Sequence, residues 1–520
     1  MGGANSTELA ISDIDFDTYK GVRYTQEVPN TREPNRGPIY VTKPVYVDPN
    51  QLTMYHNFQT GLNIDNGTRP CYGTRRVVNG IPGAYEWLTY NEVFARAEAL
   101  AAGFTKFADL KRGALVGIFS KNRVEWCLTA HACDRQTYPL VPLYDTLGPD
   151  AIPYIVNHTE LTTLVCGQEQ FGVVLECKDA CTSLQYVIQY EDVTPQQRQQ
   201  AEQKGIQLAS FSELLALGKS NPVAANIPQP DDIATICYTS GTTGNPKGVI
   251  LTHKNMTTLG FLTEDRLGLT PDLVHISYLP LPHVFERANM NSCVRLGARA
   301  GFYQGDVLKL LEDVAELKPT VFISVPRLFN RVYDKIMQGV NAAGGLKKLL
   351  FDQAYAAKKA GLAEGHKTHA LWDALVFSKI RMVLGGEVKL MLSGSAPLSA
   401  DVKEFLKIVF SCDVVEGYGL SETSAGLTLS TGDMPLGQHV GPPIGNLQVR
   451  LEDVPEMGYT SNDKPRPRGE IICRGDIKIH LHPDPFSVDA GLITPTFKLK
   501  RPQLKAYFQD KINEMYASLQ

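Results

Sequence analysis

Short apolar runs recur along the chain, and most are followed by a turn containing Gly or Pro and then by a helical pattern. The runs are ALVGIF (114–119), TLVC (163–166), YVIQY (186–190), IATICY (233–238), TVFISV (320–325) and VKLMLS (388–393). Such runs are typical of strands that are buried on both faces. Repeated strand–turn–helix units therefore predict α/β layers around largely parallel sheets. In such folds, ligands gather at the carboxyl ends of the strands.

The first clear helical pattern lies in WLTYNEVFARAEALAAGF (87–104). Thr89 and Glu92 have the spacing of a capping box, and apolar residues follow at helical intervals. A second helix is predicted at about 123–133. Residues 1–84 are rich in Pro, Asn, Thr and Tyr with weak periodicity, so we predict an irregular lead-in there. A chain of 520 residues is too long for one hydrophobic core, which predicts at least two structural units.

Composition narrows the class of protein. Apolar residues make up 43% of the chain and charged residues 20%, as in an ordinary globular protein. The net charge of −4 argues against a general nucleic-acid binder, which would usually carry a basic stripe. Ten scattered cysteines without paired Cys-x-x-Cys knuckles favour reduced cytosolic thiols over a metal site. No apolar run approaches membrane-spanning length, so we expect a soluble or peripheral protein.

The amino terminus, MGGANS, fits the pattern for myristoylation, with Gly2 as the acceptor. The alternative is a flexible terminus of small residues. A single acyl chain would hold a membrane only marginally.

The stretch YTSGTTGNPKGVILTH (238–253) combines hydroxyl side chains, glycines and one lysine directly after a predicted strand. Glycines adopt backbone angles closed to other residues, and exposed amides and hydroxyls can wrap phosphate oxygens. Lys247 would neutralise the phosphate charge. A flexible surface loop is the alternative, but the ordered string after a strand favours a phosphate site. The pattern GxxxxGK[ST] is not met, because Gly248 follows Lys247.

Four motifs in one order resemble the adenylate-forming superfamily of acyl-CoA synthetases, luciferases and peptide-synthetase adenylation domains. They are YTSGTTGNPKG (238–248), LPLPHVFER (279–287), SGSAPLS (393–399) and YGLSET (418–423). The first is similar to the family's nucleotide loop, which is a highly specific signature. The resemblance extends over nearly the whole chain from about residue 40.

The resemblance implies a role for each matching residue. The triphosphate would bind Thr239, Ser240, Gly241, Thr242, Thr243, Gly244, Lys247 and Gly248. The adenine would lie against Gly394, Ser395, Ala396, Gly417, Tyr418, Gly419 and Thr423. Glu422 and the Thr239 hydroxyl would hold Mg²⁺, His283 would lie near the acyl carboxylate, and the catalytic lysine would be Lys498.

Taken singly, these motifs have plainer interpretations. His283 alone would be a structural histidine, Tyr418 a buried aromatic and Glu422 a solvated acid. SGSAPLS could be a helix cap, because Ser399 suits an N-cap. Their joint appearance in the family's order favours the functional interpretation.

Three further stretches look like eukaryotic long-chain fatty acyl-CoA synthetases: PLYDTLG (142–148), VPRLFNRVYDKI (325–336) and LITPTFKLKRPQLKAYF (492–508). This resemblance implies a large, multi-layered amino-terminal domain with stacked, mostly parallel sheets. It also implies ATP- and Mg²⁺-dependent activation of long-chain fatty acids to acyl-adenylate and then acyl-CoA, with coenzyme A as co-substrate. We would place such a protein in the cytoplasm or peripherally on a membrane such as the endoplasmic reticulum. The predicted partners are long-chain fatty acid, ATP and coenzyme A, and the oligomeric state is not readable from the sequence.

The chain departs from the family after GEIICRGD (469–476), which runs directly into a segment resembling the end of the small carboxyl-terminal domain. About 100–150 residues, a small domain's worth, have no counterpart, including the ribose-binding aspartate and the hinge. We therefore expect an AMP-binding domain at 85–474 and a domain remnant at 475–520. The context of Asp476 does not suit the ribose ligand, and HLH (480–482) suits one strand face better than a metal site.

Two classes of function stay open at this point. The first is a long-chain fatty acid–CoA ligase whose activity is impaired. The second is a non-catalytic nucleotide- or acyl-binding variant. We expect weak ATP binding and poor acyl-CoA formation. A phosphotransferase is a weaker hypothesis, because neither a Walker lysine–serine pair nor a kinase catalytic loop is evident.

Overall fold

The apolar runs form the centres of two large sheets, accompanied by a smaller antiparallel sheet. The computed structural model describes residues 24–144, 151–239, 246–434, 436–437 and 439–475. The strands are β1 (Gln26–Glu27), β2 (Tyr40–Val41), β3 (Pro70–Val78), β4 (Ile81–Thr89), β5 (Val116–Phe119), β6 (Leu140–Pro142), β7 (Thr163–Cys166), β8 (Tyr186–Gln189), β9 (Gln207–Ser210), β10 (Ile233–Thr239), β11 (Lys247–Thr252), β12 (Val274–Ser277), β13 (Arg299–Phe302), β14 (Val321–Ser324), β15 (Leu390–Ser393), β16 (Asp413–Tyr418), β17 (Thr428–Leu429), β18 (Leu447–Glu452) and β19 (Glu470–Gly475).

Helices connect most of these strands. They are α1 (Met54–Leu62), α2 (Tyr90–Phe107), α3 (Val124–Gln136), α4 (Ala151–His158), α5 (Gln168–Cys177), α6 (Pro195–Gln203), α7 (Phe211–Ser220), α8 (His253–Leu267), α9 (Val284–Arg295), α10 (Leu310–Leu317), α11 (Pro326–Ala343), α12 (Gly345–Ala363), α13 (Ala370–Trp372), α14 (Ser378–Arg381) and α15 (Ala400–Phe410). A π-helical turn, Asp373–Phe377, joins α13 to α14. The predicted capping box is confirmed, since the Thr89 hydroxyl accepts the Glu92 N–H and the Glu92 carboxylate accepts the Thr89 N–H.

Both large sheets are mostly parallel, which confirms the predicted fold class. The first has the strand order β11-β10-β6-β5-β7-β8-β9, and only the edge strand β11 is antiparallel to its neighbour. The second has the order β17-β16-β15-β14-β12-β13-β3-β4, with antiparallel pairs only at its two edges. The third sheet, β1-β2-β18-β19, is antiparallel throughout.

Strand β14 packs against a different hydrophobic cluster on each of its two faces. Val321 and Ile323 pack into a cluster that includes residues of both large sheets together with α2, α3, α8 and α9. Phe322, between them, points to the opposite face and packs with residues of α11, α12 and α15. Because successive side chains of a strand alternate, a strand covered on both faces must be apolar at every position.

The register of the second sheet brings several strand ends to one edge. Ser324 of β14 pairs with Ser393 of β15, and Ser393 pairs with Glu416 of β16. The segments that follow these strands therefore emerge side by side.

Irregular structure was predicted before residue 85, and this prediction is wrong for α1 and β3. Strand β3 pairs with β13 inside the second sheet, and α1 packs on α9 through a bond from Asn57 Nδ2 to Asn291 Oδ1 of 3.0 Å. The buried residues of α1 are Asn57, Phe58 and Gly61. Two of these three are polar or lack a side chain, so no hydrophobic period marks the helix. The predicted domain bounds remain predictions.

Two further predictions were reduced cysteine thiols and no apolar run long enough to span a membrane. All ten cysteines are free of disulfide bonds. Of the helices within the described ranges, none is long and apolar enough to cross a bilayer.

Candidate active site

A hairpin of the first sheet places Thr239 beside Lys247. Strands β10 and β11 are antiparallel, and Thr239 is the register partner of Lys247, while Tyr238 faces Gly248. A Cβ atom at Gly248 would lie 2.9 Å from Ile236 Cγ2 and 3.2 Å from the Tyr238 ring, so a larger residue there would disturb the pairing. The exposed Lys247 is therefore the first residue of β11, opposite the last residue of β10.

Several predicted site residues lie outside the described residues. They are Gly2, Ser240, Gly241, Thr242, Thr243, Gly244 and Lys498.

Two glycine-containing motifs begin at the ends of strands β15 and β16 in the second sheet. Gly394 and Ser395 follow β15, and the Gly394 N–H donates to the Ser324 carbonyl over 3.3 Å. At Gly419, after β16, a Cβ atom would lie only 2.0 Å from the Ala425 carbonyl oxygen. The turn after β16 therefore requires glycine at this position, because the returning backbone occupies the space of a side chain.

His283 is the N-cap residue of α9. Its Nδ1 accepts the Phe285 N–H over 3.1 Å, so in the neutral ring the proton lies on Nε2. The surrounding protein lowers the pKa of His283 by desolvation, although part of the side chain stays accessible. At neutral pH the ring therefore presents an N–H donor and carries no charge.

These elements enclose a cavity of about 410 Å³. Its polar part is formed by residues at strand ends and in the turns after them. They are Thr239, His283, Gly394, Ser395, Gly417, Tyr418, Gly419, Ser421 and Glu422, and the polar residues Thr263, His275, Asn289, Ser292 and Thr428 also line the cavity. Motifs that are far apart in the sequence therefore line the same cavity.

The rest of the cavity wall is mainly apolar, and we did not predict it from the sequence. Its apolar members are Leu259, Leu267, Leu269, Leu273, Phe285, Ala288, Val321, Ile323, Leu392, Leu420, Ala425, Leu429 and Ile444. Two signals could have indicated part of this set. Leu259 and Leu267 lie two helical turns apart on α8, and Val321 and Ile323 alternate on β14.

Four predicted site residues of the described chain do not line this cavity, namely Lys247, Gly248, Ala396 and Thr423. Lys247 and Gly248 belong to β11, and Ala396 is exposed in the segment after β15. Thr423 is buried, and its hydroxyl accepts the Leu420 N–H over 2.9 Å. In this structure Thr423 thus stabilises the turn that carries Glu422.

A buried ion pair that the motifs did not indicate holds two of these segments together. Lys403 Nζ lies 3.1 Å from Glu416 Oε1, and both side chains are buried. The other oxygen of Glu416 accepts the Leu398 N–H over 3.1 Å. Glu416 therefore links the end of β16 to the segment after β15 and to α15. Removing one partner would leave a buried charge unpaired, which is strongly destabilising.

A second buried polar pair borders the apolar part of the cavity. His275 Nε2 lies 2.9 Å from Glu286 Oε1, and both residues are buried. His275 lines the cavity, whereas Glu286 lies behind it on α9.

The oxygen donors suit Mg²⁺. Glu422 offers a carboxylate and Thr239 a hydroxyl to the same cavity. Mg²⁺ usually binds one or two protein oxygens and completes its shell with waters and substrate phosphates. Within the described part of the chain, no group of three or more His, Cys, Asp and Glu residues could hold a metal by itself. The donor set therefore fits a metal that is carried largely by a phosphate ligand.

Comparisons with curated proteins identify several relatives. The chain is 45% identical over 430 residues to long chain acyl-CoA synthetase 6, peroxisomal, from Arabidopsis thaliana, covering 82% of this chain and 61% of the relative. It is 37% identical over 478 residues to fatty acyl-CoA synthetase A from Dictyostelium discoideum, covering 91% of this chain and 70% of the relative. The chain thus spans about three fifths of the length of the Arabidopsis relative.

Solved structures show the same fold at low identity. One is the A domain of carboxylic acid reductase from Segniliparus rugosus in complex with AMP and a co-purified carboxylic acid. It matches with a TM-score of 0.67 and 21% identity, over 86% of this chain and 71% of that chain. A long-chain-fatty-acid-CoA ligase from Archaeoglobus fulgidus matches with a TM-score of 0.61 and 18% identity, over 84% and 76%. Residues 68–479 match the family described as AMP-binding enzyme, and the chain belongs to that family.

Proposed function

We propose that this chain activates long-chain fatty acids with ATP and passes the acyl group to coenzyme A. The observation that carries the proposal is that one cavity is lined both by the polar residues of the motifs and by many apolar side chains. A ligand with a polar, phosphate-bearing head and a hydrocarbon tail would match both sets of residues. The names of the relatives, which are acyl-CoA synthetases, support the same substrate class.

The proposed chemistry has two steps. In the first, a carboxylate oxygen of the fatty acid attacks the α-phosphorus of ATP, and pyrophosphate leaves. In the second, the thiolate of coenzyme A attacks the acyl carbonyl, and AMP leaves. The first step brings two anions together, so it depends on positioning and charge stabilisation rather than on an enzyme nucleophile.

Each residue has a proposed part in the first step. Lys247 binds the pyrophosphate end of ATP, and Tyr418 lies against the adenine. Glu422 and the Thr239 hydroxyl would hold Mg²⁺, which when bound neutralises phosphate charge.

His283 is suited to meet the acyl carboxylate. Because its pKa is lowered and Nδ1 is occupied by the Phe285 N–H, the Nε2–H can donate to a carboxylate oxygen at neutral pH. A neutral donor positions the carboxylate without binding it as an ion pair, which keeps the oxygen available for attack. The hydrocarbon tail would then lie along the apolar wall.

ATP–pyrophosphate exchange tests the adenylation step. With palmitate and Mg²⁺, we expect exchange by the unchanged chain and a loss of about 100-fold or more in Glu422→Gln, which removes the metal-binding charge. Glu456→Gln is the matched control, because Glu456 is exposed and lies outside the cavity wall. Exchange that Glu422→Gln leaves unchanged would contradict the assignment of Glu422.

Thioester formation from palmitate, ATP, Mg²⁺ and coenzyme A measures the second step on the same preparation. We expect this step to be slow, because the hinge and most of the small carboxyl-terminal domain have no counterpart in the sequence. Exchange that acetate supports as well as palmitate would contradict the long-chain substrate. Absence of exchange with every fatty acid tested would contradict adenylation itself.

A further inference from the structure

Four polar side chains of the cavity wall lie beside its apolar members. They are Thr263 of α8, His275 of β12, and Asn289 and Ser292 of α9. Thr263 lies between the lining residues Leu259 and Leu267 on one side of α8, and Asn289 follows the lining residue Ala288 on α9. A plain hydrocarbon tail offers such polar groups no hydrogen bond.

These side chains differ in whether their hydrogen bonds are already made. The Thr263 hydroxyl donates to the Leu259 carbonyl over 3.0 Å, within its own helix. His275 Nδ1 and Asn289 Nδ2 are buried, and neither has a hydrogen-bond partner among the described residues. A buried nitrogen without a partner is costly and is rare in folded proteins. His275 and Asn289 therefore retain capacity to bond a ligand, whereas Thr263 is satisfied.

Helix α9 brings His275 and Asn289 close together. His275 Nε2 lies 2.9 Å from Glu286 Oε1, and Asn289 is one helical turn beyond Glu286. Residues three apart are neighbours on a helix surface, and helical side chains lean toward the amino terminus, so Asn289 leans toward Glu286. Glu286 Oε2 is also buried without a partner in the described part of the chain. Three unpaired polar atoms are thus gathered around one turn of α9.

Two counts along the chain place His275 and Asn289 at the same depth in the cavity. Helix α9 connects the parallel strands β12 and β13, so it runs back from the carboxyl edge of the sheet, where His283 lies. Asn289 is six residues beyond His283, or about 9 Å along the helix. His275 pairs with Val321, which is three residues before Ser324 at the end of β14, or about 10 Å along the strand.

This depth corresponds to the middle of a long-chain fatty acid. A carbon–carbon bond of about 1.5 Å advances an extended hydrocarbon by about 1.3 Å. A fatty acid whose carboxylate meets His283 therefore brings roughly its eighth or ninth carbon beside His275 and Asn289.

We propose that the cavity selects long-chain fatty acids that carry a hydroxyl group near the middle of the chain. A hydroxyl both donates and accepts, so one such group can bond to His275 Nδ1 and to Asn289 Nδ2. A site that bonds a substrate hydroxyl rejects the analogue that lacks it, because the buried polar groups of the site are then left unpaired. The inference rests on the proposed function, since the carboxylate at His283 determines which carbon reaches the two nitrogens.

ATP–pyrophosphate exchange with three eighteen-carbon acids tests this inference. The acids are stearate, 9-hydroxystearate and 18-hydroxystearate, and the last is a matched control that carries the same hydroxyl at the chain end. We expect kcat/KM of the unchanged chain for 9-hydroxystearate to exceed the values for the other two acids by about 10-fold or more. Equal or better use of stearate, the result if the two nitrogens only hold a water, would overturn the inference. Equal use of the two hydroxylated acids would also overturn it.

The variant Asn289→Leu removes the amide and keeps a side chain of similar size. It should lower the ratio of kcat/KM for 9-hydroxystearate to kcat/KM for stearate by about 10-fold or more. The matched variant is Thr263→Val, which also removes a polar group from the cavity wall, but one that is bonded within α8. It should leave the ratio unchanged. Because both rates scale with the amount of folded protein, the ratio does not depend on partial unfolding, and equal ratios in the two variants would contradict the role of Asn289.

The same measurements separate this inference from the proposed function. Exchange with stearate but without preference for 9-hydroxystearate contradicts this inference alone. Exchange with none of the three acids contradicts both.

Discussion

At the scale of single residues, burial decides the charge of His253 at the start of α8. This side chain is 1% exposed, and its Nδ1 accepts the Met54 N–H over 3.3 Å. Burial lowers the pKa of His253 to about 3. A smaller opposing effect comes from Asp232, while nearby cations and His56 lower the pKa further. The folded protein therefore keeps this ring neutral.

The sign of the pH dependence follows. In the unfolded chain His253 takes up a proton below pH about 6.5, whereas the folded chain does so only near pH 3. The free energy of unfolding should therefore fall as the pH falls between these values, by up to about 1.4 kcal/mol per pH unit for this residue. Urea unfolding at several pH values should show a shallower dependence for His253→Gln than for the unchanged chain. Equal slopes would contradict the assignment, whatever the absolute stabilities.

At the scale of elements, two glycines that both lie inside helices have different surroundings. Gly218 lies in α7 where it crosses α2, and a Cβ atom there would lie 1.7 Å from the Ala99 carbonyl oxygen. Gly172 lies in α5, and nothing lies within 4 Å of a Cβ atom at that position. One glycine permits two helices to touch, while the other only weakens its helix.

Opposite effects on stability are therefore expected from the same substitution. Gly218→Ala should lower the free energy of unfolding by about 3 kcal/mol or more, because α7 must move away from α2. Gly172→Ala should raise it by about 0.5–1 kcal/mol, because alanine restricts the unfolded chain and suits a helix. Denaturant unfolding of both variants measures the difference. A destabilised Gly172→Ala or an unaffected Gly218→Ala would show that the helix contacts differ from those described.

At the scale of the whole molecule, the cavity lies within the core shared by the two large sheets. Its wall includes Leu259 of α8, Ile323 of β14 and Leu392 of β15, and all three belong to that core. A ligand that fills the cavity should therefore stabilise the packing of both sheets together.

A non-hydrolysable palmitoyl-adenylate mimic should raise the unfolding temperature. At about 100 times its Kd, such a ligand stabilises a folded protein by about 2.7 kcal/mol. The acetyl analogue at the same concentration should produce a smaller shift, because it leaves the apolar wall uncovered. Differential scanning calorimetry measures both shifts. Equal shifts would indicate that the hydrocarbon tail lies outside this cavity.

The pattern of apolar runs predicted β5, β7, β8, β10, β14 and β15, because parallel strands covered on both faces must be apolar throughout, as in TVFISV. It did not reveal α1, whose buried residues Asn57 and Gly61 are recognised only through their partners. The Asn57 side chain meets Asn291, and Gly61 permits contact with the Val294 carbonyl. Both partners lie more than two hundred residues away on α9, so no local pattern could indicate them.

The sequence by itself determined six buried strands and their order along the chain, the glycine-containing motifs and the family to which the chain belongs. These properties are local, because a short run of residues sets its own backbone angles and burial. Only the tertiary structure decided which apolar residues of α8, β14 and β15 line the cavity and that Glu416 joins its two polar segments. Those contacts depend on sheet register and helix packing, which bring together residues that are distant along the chain.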